Sequence, residues 1–137
     1  MKISQLRSPG ETVGGIVYFG RMLDKIRLHA RGELPVDYVK NLGGGFDERI
    51  LNFLDVAYGN VVVETLLGKS DEEMLAWCFA NGRVPDEEEI EVWNGFMSKR
   101  GWRDEGATIL TKRKLEGGFE NREDIQTMFD YIEADEA

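Results

Sequence analysis

The 137-residue chain has one cysteine, one histidine and three prolines, and each shortage removes a class of explanation. A single cysteine cannot close an intramolecular disulfide, so nothing ties the chain to an oxidising compartment. One cysteine and one histidine cannot build a nitrogen–sulfur zinc site within one chain. The Glu-x-x-His pairs of di-iron bundles are missing as well, so no metal and no cofactor is expected. Because His29 is the only imidazole, any Ser/His/Asp arrangement would have to rest on it, and no Gly-x-Ser-x-Gly is present. Gly43-Gly44-Gly45-Phe46-Asp47 leads into a helix start, a place that can hold an anion. No Lys-Ser or Lys-Thr follows it, so it is no P-loop and reads as a plain turn. No run approaches the roughly 18 apolar residues of a spanning helix. The stretch Met1 to Pro9 lacks the apolar core of a secretory signal. The expected location is therefore the cytoplasm.

Positive charge is also short: 17 Lys and Arg stand against 26 Asp and Glu, a formal net charge of -9. That balance argues against nucleic acid, whose phosphates need a basic surface, and against anionic membranes. It is uneven. Residues 1–69 sum to about +1 and residues 70–137 to about -10. Within the acidic half, residues 99–114 are locally basic.

What the chain has in abundance is helix punctuation. Strand-like alternation is nearly absent, and Val61-Val62-Val63, the one β-branched run noted, leads to a glycine stop that suits a helix. Ile16, Phe19, Leu23, Ile26 and Ala30 recur at three- and four-residue steps and predict a first helix over 11–31. Gly14, Gly15 and Gly20 each cost that helix roughly 1 kcal/mol relative to alanine, which implies a close approach by another backbone. A short helix follows over 35–42, a third carries Phe46, Ile50, Phe53 and Leu54, and a fourth spans 57–67. Ser70-Asp71-Glu72-Glu73 is a capping box opening a fifth helix, with Met74, Leu75, Trp77, Cys78 and Phe79. Cys78 between two aromatics reads as a small buried hydrophobe. Pro85-Asp86-Glu87-Glu88-Glu89 opens a sixth, whose inward face is Ile90, Trp93, Phe96 and Met97. A weaker seventh is expected over 104–116. An eighth would begin near Asn121 and bury Ile125, Met128, Phe129 and Ile132, with residues 131–137 a frayed acidic tail. Short elements and shorter connections predict one all-α domain over residues 1–137: seven or eight short helices in an irregular, orthogonal array.

The strings Pro9-Gly10-Glu11-Thr12-Val13-Gly14-Gly15-Ile16-Val17-Tyr18-Phe19-Gly20-Arg21-Met22-Leu23-Asp24-Lys25-Ile26-Arg27 and Trp77-Cys78-Phe79-Ala80-Asn81-Gly82, with residues 93–103, resemble a bacterial family. It is known as domain of unknown function 5069. The resemblance covers residues 6 to about 105. It implies a soluble bacterial domain and brings no activity, cofactor or catalytic residue with it.

Two constellations carry possible chemistry. Tyr18, Arg21, Lys25 and His29 fall at steps of three, four and four, along one border of the first helix. Arg21 and Lys25 could hold an anion while His29 serves as general acid or base. The plainer reading is a solvated helix flank. The second is Trp93-Asn94-Gly95-Phe96-Met97-Ser98-Lys99-Arg100-Gly101-Trp102-Arg103, where two of three tryptophans sit among three cations. Trp93 and Phe96 are expected in the core and Trp102 half exposed. Lys99, Arg100 and Arg103 around Trp102 could grip a phosphate or carboxylate, or merely cap the helix end. The expected function is noncatalytic binding of an anionic small molecule or a protein partner. Alternatives are a small enzyme working through His29, and a self-associating structural protein, monomer or homodimer, built on the glycines of the first helix.

Overall fold

The computed structural model describes residues 2–137. It contains a two-stranded hairpin followed by eight helices. The hairpin is β1 (Thr12–Val13) and β2 (Ile16–Val17), and the helices are α1 (Phe19–Ala30), α2 (Val36–Val39), α3 (Phe46–Leu54), α4 (Tyr58–Leu66), α5 (Asp71–Asn81), α6 (Glu87–Lys99), α7 (Ala107–Glu116) and α8 (Met128–Asp135). The helical array matches the sequence reading. The hairpin does not, and it shortens the first helix by eight residues at its front.

The correction has a simple cause. Val13 pairs with Ile16, which leaves Gly14 and Gly15 as a two-residue turn with φ of 57° and 79°. Positive φ at both positions is what a tight hairpin of matching twist requires, and glycine meets it without strain. These glycines therefore do not weaken a helix. Gly20 does lie in α1, and what approaches it is a side chain: the Arg7 guanidinium, whose Nη2 donates to the Gly20 carbonyl at 3.1 Å. A β-carbon there would sit 2.7 Å from Arg7 Cζ. With all three glycines accounted for within one chain, the observation that motivated self-association falls away.

Helix ends follow side-chain caps where the sequence supplies them. Both expected helix starts in the acidic half form capping boxes, Ser70 with Glu73 and Asp86 with Glu89. Helix α7 begins later than position 104 because the Asp104 carboxylate accepts from the Gly101 and Gly106 amides and ties 101–106 into a loop. Helix α8 begins at Met128, not near Asn121, because Thr127 is its cap and accepts from the Asp130 amide. The residues before it are turns held by Lys114 Nζ, which donates to the carbonyls of Arg122 and Ile125. Ile125 and Phe129 are buried as expected, while Met128 and Ile132 are only partly covered.

Helix α1 runs through the core. Phe19, Met22 and Leu23 have no exposed surface, and they join Ile16, Ile50, Leu54, Val61, Met74, Cys78 and Met97 in one cluster. Ala30 stays exposed. Burial pushes the Cys78 thiol up to about 12, which leaves it a packing residue. Trp93 is core, stacked on Phe53 at 4.8 Å. Phe96 is not: it is 39% exposed. Among the described residues no helix is long and apolar enough to cross a membrane.

Candidate functional site

A cleft of about 670 Å³ opens where α1, α2, the start of α3 and the α7–α8 pair converge. That is an ordinary size for a small-molecule site. Its floor begins with Tyr18, which follows β2 and caps α1 with φ of 74°. A left-handed backbone at a bulky residue costs about 1–3 kcal/mol and persists only where surroundings hold it. Here they do. The ring stacks on Phe129 and meets Phe46 edge-on, and the hydroxyl donates to Asp47 Oδ1 at 2.7 Å. Lys25 Nζ lies 2.8 Å from the same carboxylate oxygen and donates to the Tyr18 hydroxyl at 3.1 Å. The other Asp47 oxygen accepts from the Gly43 amide, and Asp47 is wholly buried. The glycine turn at 43–45 thus serves to aim Asp47 beneath Lys25.

Burial dominates the ionisation of this floor. It holds the Lys25 ammonium below its ordinary pKa, even with Asp47 beside it, and drives the Tyr18 phenol well above its own. Arg21, one turn along α1, is 4% exposed. Burial works against its charge, but a two-pronged contact with Glu136 outweighs that and raises its pKa. Nη1 and Nη2 donate to the two Glu136 oxygens at 2.8 and 2.6 Å, and Tyr38 adds its hydroxyl to Oε2 at 2.8 Å. Residues 131–137 therefore do not fray: α8 continues to Asp135, and Glu136 just beyond it closes on a buried arginine.

The walls are rich in cations. Arg21, Lys25, Lys40, Arg49, Arg100 and Arg113 line the cleft against four carboxylates, Asp37, Glu116, Asp135 and Glu136. In a chain of net charge -9 that local excess runs against the whole. The guanidiniums of Arg49 and Arg100 lie 5.1 and 5.6 Å from the centroid of Phe96, which explains why Phe96 leaves the core. The cleft also takes in Gly44 and Gly45 at the start of α3, where no side chain caps the helix.

The two constellations read from sequence meet here in part. Tyr18, Arg21 and Lys25 share the cleft with Arg100, whose carbonyl accepts from the Met128 amide and so pins α6 to α8. His29, about one turn beyond Lys25 on α1, is exposed and does not line the cleft. Lys99, Trp102 and Arg103 also lie outside it. Arg103 does stack on Trp102, 4.9 Å from the ring centroid, but Trp102 is 47% exposed and the pair faces outward. Sequence reading missed Tyr38, Lys40, Arg49, Arg113 and Glu136, because they come from four elements with no common spacing. Asp47 carried a signal, a carboxylate set just after a glycine turn, but its burial under Lys25 has no mark in the sequence.

A second cleft of about 410 Å³ lies across α6, between Phe53, Trp93, Val92 and Phe96, with Asp86, Glu88 and Glu89 at its edge. Arg83 already fills part of it, paired with Glu89 and stacked over Phe53. Among the described residues no cluster of His, Cys, Asp or Glu could hold a metal ion.

The fold and the cleft define a mostly helical protein with a cation-lined pocket at the convergence of its first and last helices. Residues 3–137 match the family described as Domain of unknown function (DUF5069), and the chain belongs to that family. No curated protein is similar enough in sequence to count as a match.

Proposed function

We propose that this protein binds a small anionic molecule, one carrying carboxylate or phosphate groups, in the cleft between α1 and α8. The observation that carries the reading is the gathering of cations: six line one cleft of a strongly acidic chain, against four carboxylates in its walls and Asp47 beneath Lys25. Such a local field draws anions to one place and leaves the rest of the surface repelling them. Arg49 and Arg100 supply planar donors suited to oxyanions, and the uncapped start of α3 adds backbone amides. The reading suits a cytoplasmic binding protein, which the lone buried cysteine also favours.

A thermal-shift screen against phosphorylated and carboxylated metabolites tests it. A ligand at 100 times its dissociation constant should stabilise the fold by about 2.7 kcal/mol. The shift should disappear in Arg49→Ala and Arg100→Ala and survive in Lys99→Ala. A shift that survives the first two variants, or no shift with any anion, overturns the reading.

A second reading, catalysis in the same cleft, has one observation behind it. Lys25 is buried at the floor, its ammonium destabilised by burial, within hydrogen-bond reach of a phenol and a carboxylate. On this reading Lys25, and not the exposed His29, would move the proton. Turnover of a bound anion that is lost in Lys25→Met but kept in His29→Gln would support it. Turnover lost in His29→Gln and kept in Lys25→Met would overturn it.

A further inference from the structure

The contact between Arg21, Tyr38 and Glu136 has the form of a receptor with its ligand in place. A buried guanidinium offers two parallel N–H groups to one carboxylate, at 2.8 and 2.6 Å, and a phenol donates to one of the same oxygens at 2.8 Å. This fork is the geometry by which arginine grips an oxyanion, a carboxylate or a phosphate, through two bonds at once, and here it holds a carboxylate. The carboxylate it holds is the chain's own. We propose that Arg21 and Tyr38 form the carboxylate subsite of the cleft, that Glu136 is its resident occupant, and that a small molecule with a carboxylate and a second anionic group binds by displacing Glu136. The proposal rests on the reading of the cleft as an anion site and names the ligand class within it.

Three observations make the exchange physically reasonable. First, Arg21 is never left unpaired, since one carboxylate replaces another, so the heavy penalty of an uncompensated buried charge does not arise. Second, Glu136 lies beyond the last residue of α8, and this end is tied to the helix by two backbone bonds, from the Glu136 amide to the Ile132 carbonyl at 3.0 Å and from the Ala137 amide to the Ala134 carbonyl at 3.4 Å. The buried anchor of α8 is Phe129, nearly two turns earlier. Releasing Glu136 therefore opens the last turn and leaves the core intact. Third, Glu136 forms its ion pair with Arg21 and reaches neither Arg49 nor Arg100. A ligand whose second anionic group reaches Arg100 or Arg49 gains contacts that Glu136 cannot make. That gain is what must overcome the high effective concentration of a tethered competitor, in the millimolar range for a short flexible link.

Competition makes a prediction opposite to that of a structural contact. Removing the competitor should strengthen binding. Titration calorimetry with citrate as the carboxylate probe should give at least ten-fold tighter binding to Glu136→Gln than to the unsubstituted protein. Inorganic phosphate, which has no second anionic group to reach Arg100 or Arg49 from the fork, should change far less. Glu136→Asp keeps the charge but is one methylene too short to close the fork, and it should also bind citrate more tightly. It serves if the glutamine variant does not fold. In the unsubstituted protein, saturating citrate should speed hydrogen exchange at the Glu136 amide. Unchanged or weaker citrate binding in folded variants overturns the proposal, as does an equal gain for phosphate. If citrate binding depends on Arg49 and Arg100 but is indifferent to Glu136, the displacement idea fails and the anion site stands. If no anion binds either protein, both fail.

Discussion

Helix α1 buries charge on two sides, and the two sides are built differently. On one, Asp24 and Arg27 join Arg7 and Asp71 in a closed quartet: Arg7 contacts both carboxylates at 2.8 and 2.7 Å, and Arg27 reaches Asp71 at 2.8 Å and Asp24 at 3.6 Å. Two cations meet two carboxylates, and none of the four lines either cleft. On the other side Arg21 and Lys25 also have carboxylate partners, but they open onto a space walled by four more cations and three more carboxylates. The lesson is that buried charge does not by itself mark a site. A balanced, closed set welds elements together, here the chain before β1, α1 and α5. A set of cations that faces a void has room to take a ligand.

Breaking the floor of the cleft should have the largest effect. Asp47→Ala strands the Lys25 ammonium and the Tyr18 hydroxyl in a buried place, so we expect a loss of about 3–5 kcal/mol, read from urea denaturation. Breaking the quartet should cost less. Arg7→Ala leaves Arg27 to hold both carboxylates, for about 1–3 kcal/mol, and should leave anion binding untouched. If Arg7→Ala abolishes anion binding, the two sides of α1 are not separate.

Acid should attack the quartet as well. Burial pushes the Asp71 carboxyl up, but hydrogen bonds from Arg7 and Arg27 outweigh that and hold its pKa below the ordinary value. A depressed folded pKa contributes stability that is complete above the unfolded value of about 3.9 and drains away as pH falls through the folded one. Stability measured by denaturation should therefore fall below about pH 4, and more shallowly in Asp71→Asn. Equal slopes would remove Asp71 from the account.

The smallest stability effects should come with the sharpest change in binding. Arg100→Ala should cost about 1 kcal/mol or less, since its ion pair with Asp104 at 3.7 Å is loose. It should nonetheless abolish the anion-dependent thermal shift. Arg103→Ala, whose guanidinium stacks on an exposed indole, should change neither.

The sequence disclosed the helical array because each helix carries its own start and stop. Ser70 with Glu73 and Asp86 with Glu89 are local devices, and they work as local reading says. It misled at 12–17, where Ile16 lies in step with the apolar face of α1 and hides a hairpin only four strand residues long. Half of the cleft's cations were legible, because Arg21 and Lys25 share a helical spacing with Tyr18 and Arg100 sits in a conspicuous cationic run. The rest was not. Tyr38, Arg49, Arg113 and Glu136 meet only because α2, α3, α7 and the end of α8 converge beside α1, a long-range event with no periodicity to betray it. Glu136 is the clearest case: a composition that reads as a loose acidic tail is fastened by an arginine 115 positions earlier.

Backbone amide shifts followed by NMR during a citrate titration would locate the anion on the fold. The largest changes should fall on Gly44, Gly45, Arg49, Arg100 and Glu136, while His29, Trp102 and Arg103 stay still. Changes centred on residues 102–103, or on His29, with the cleft silent, would contradict it.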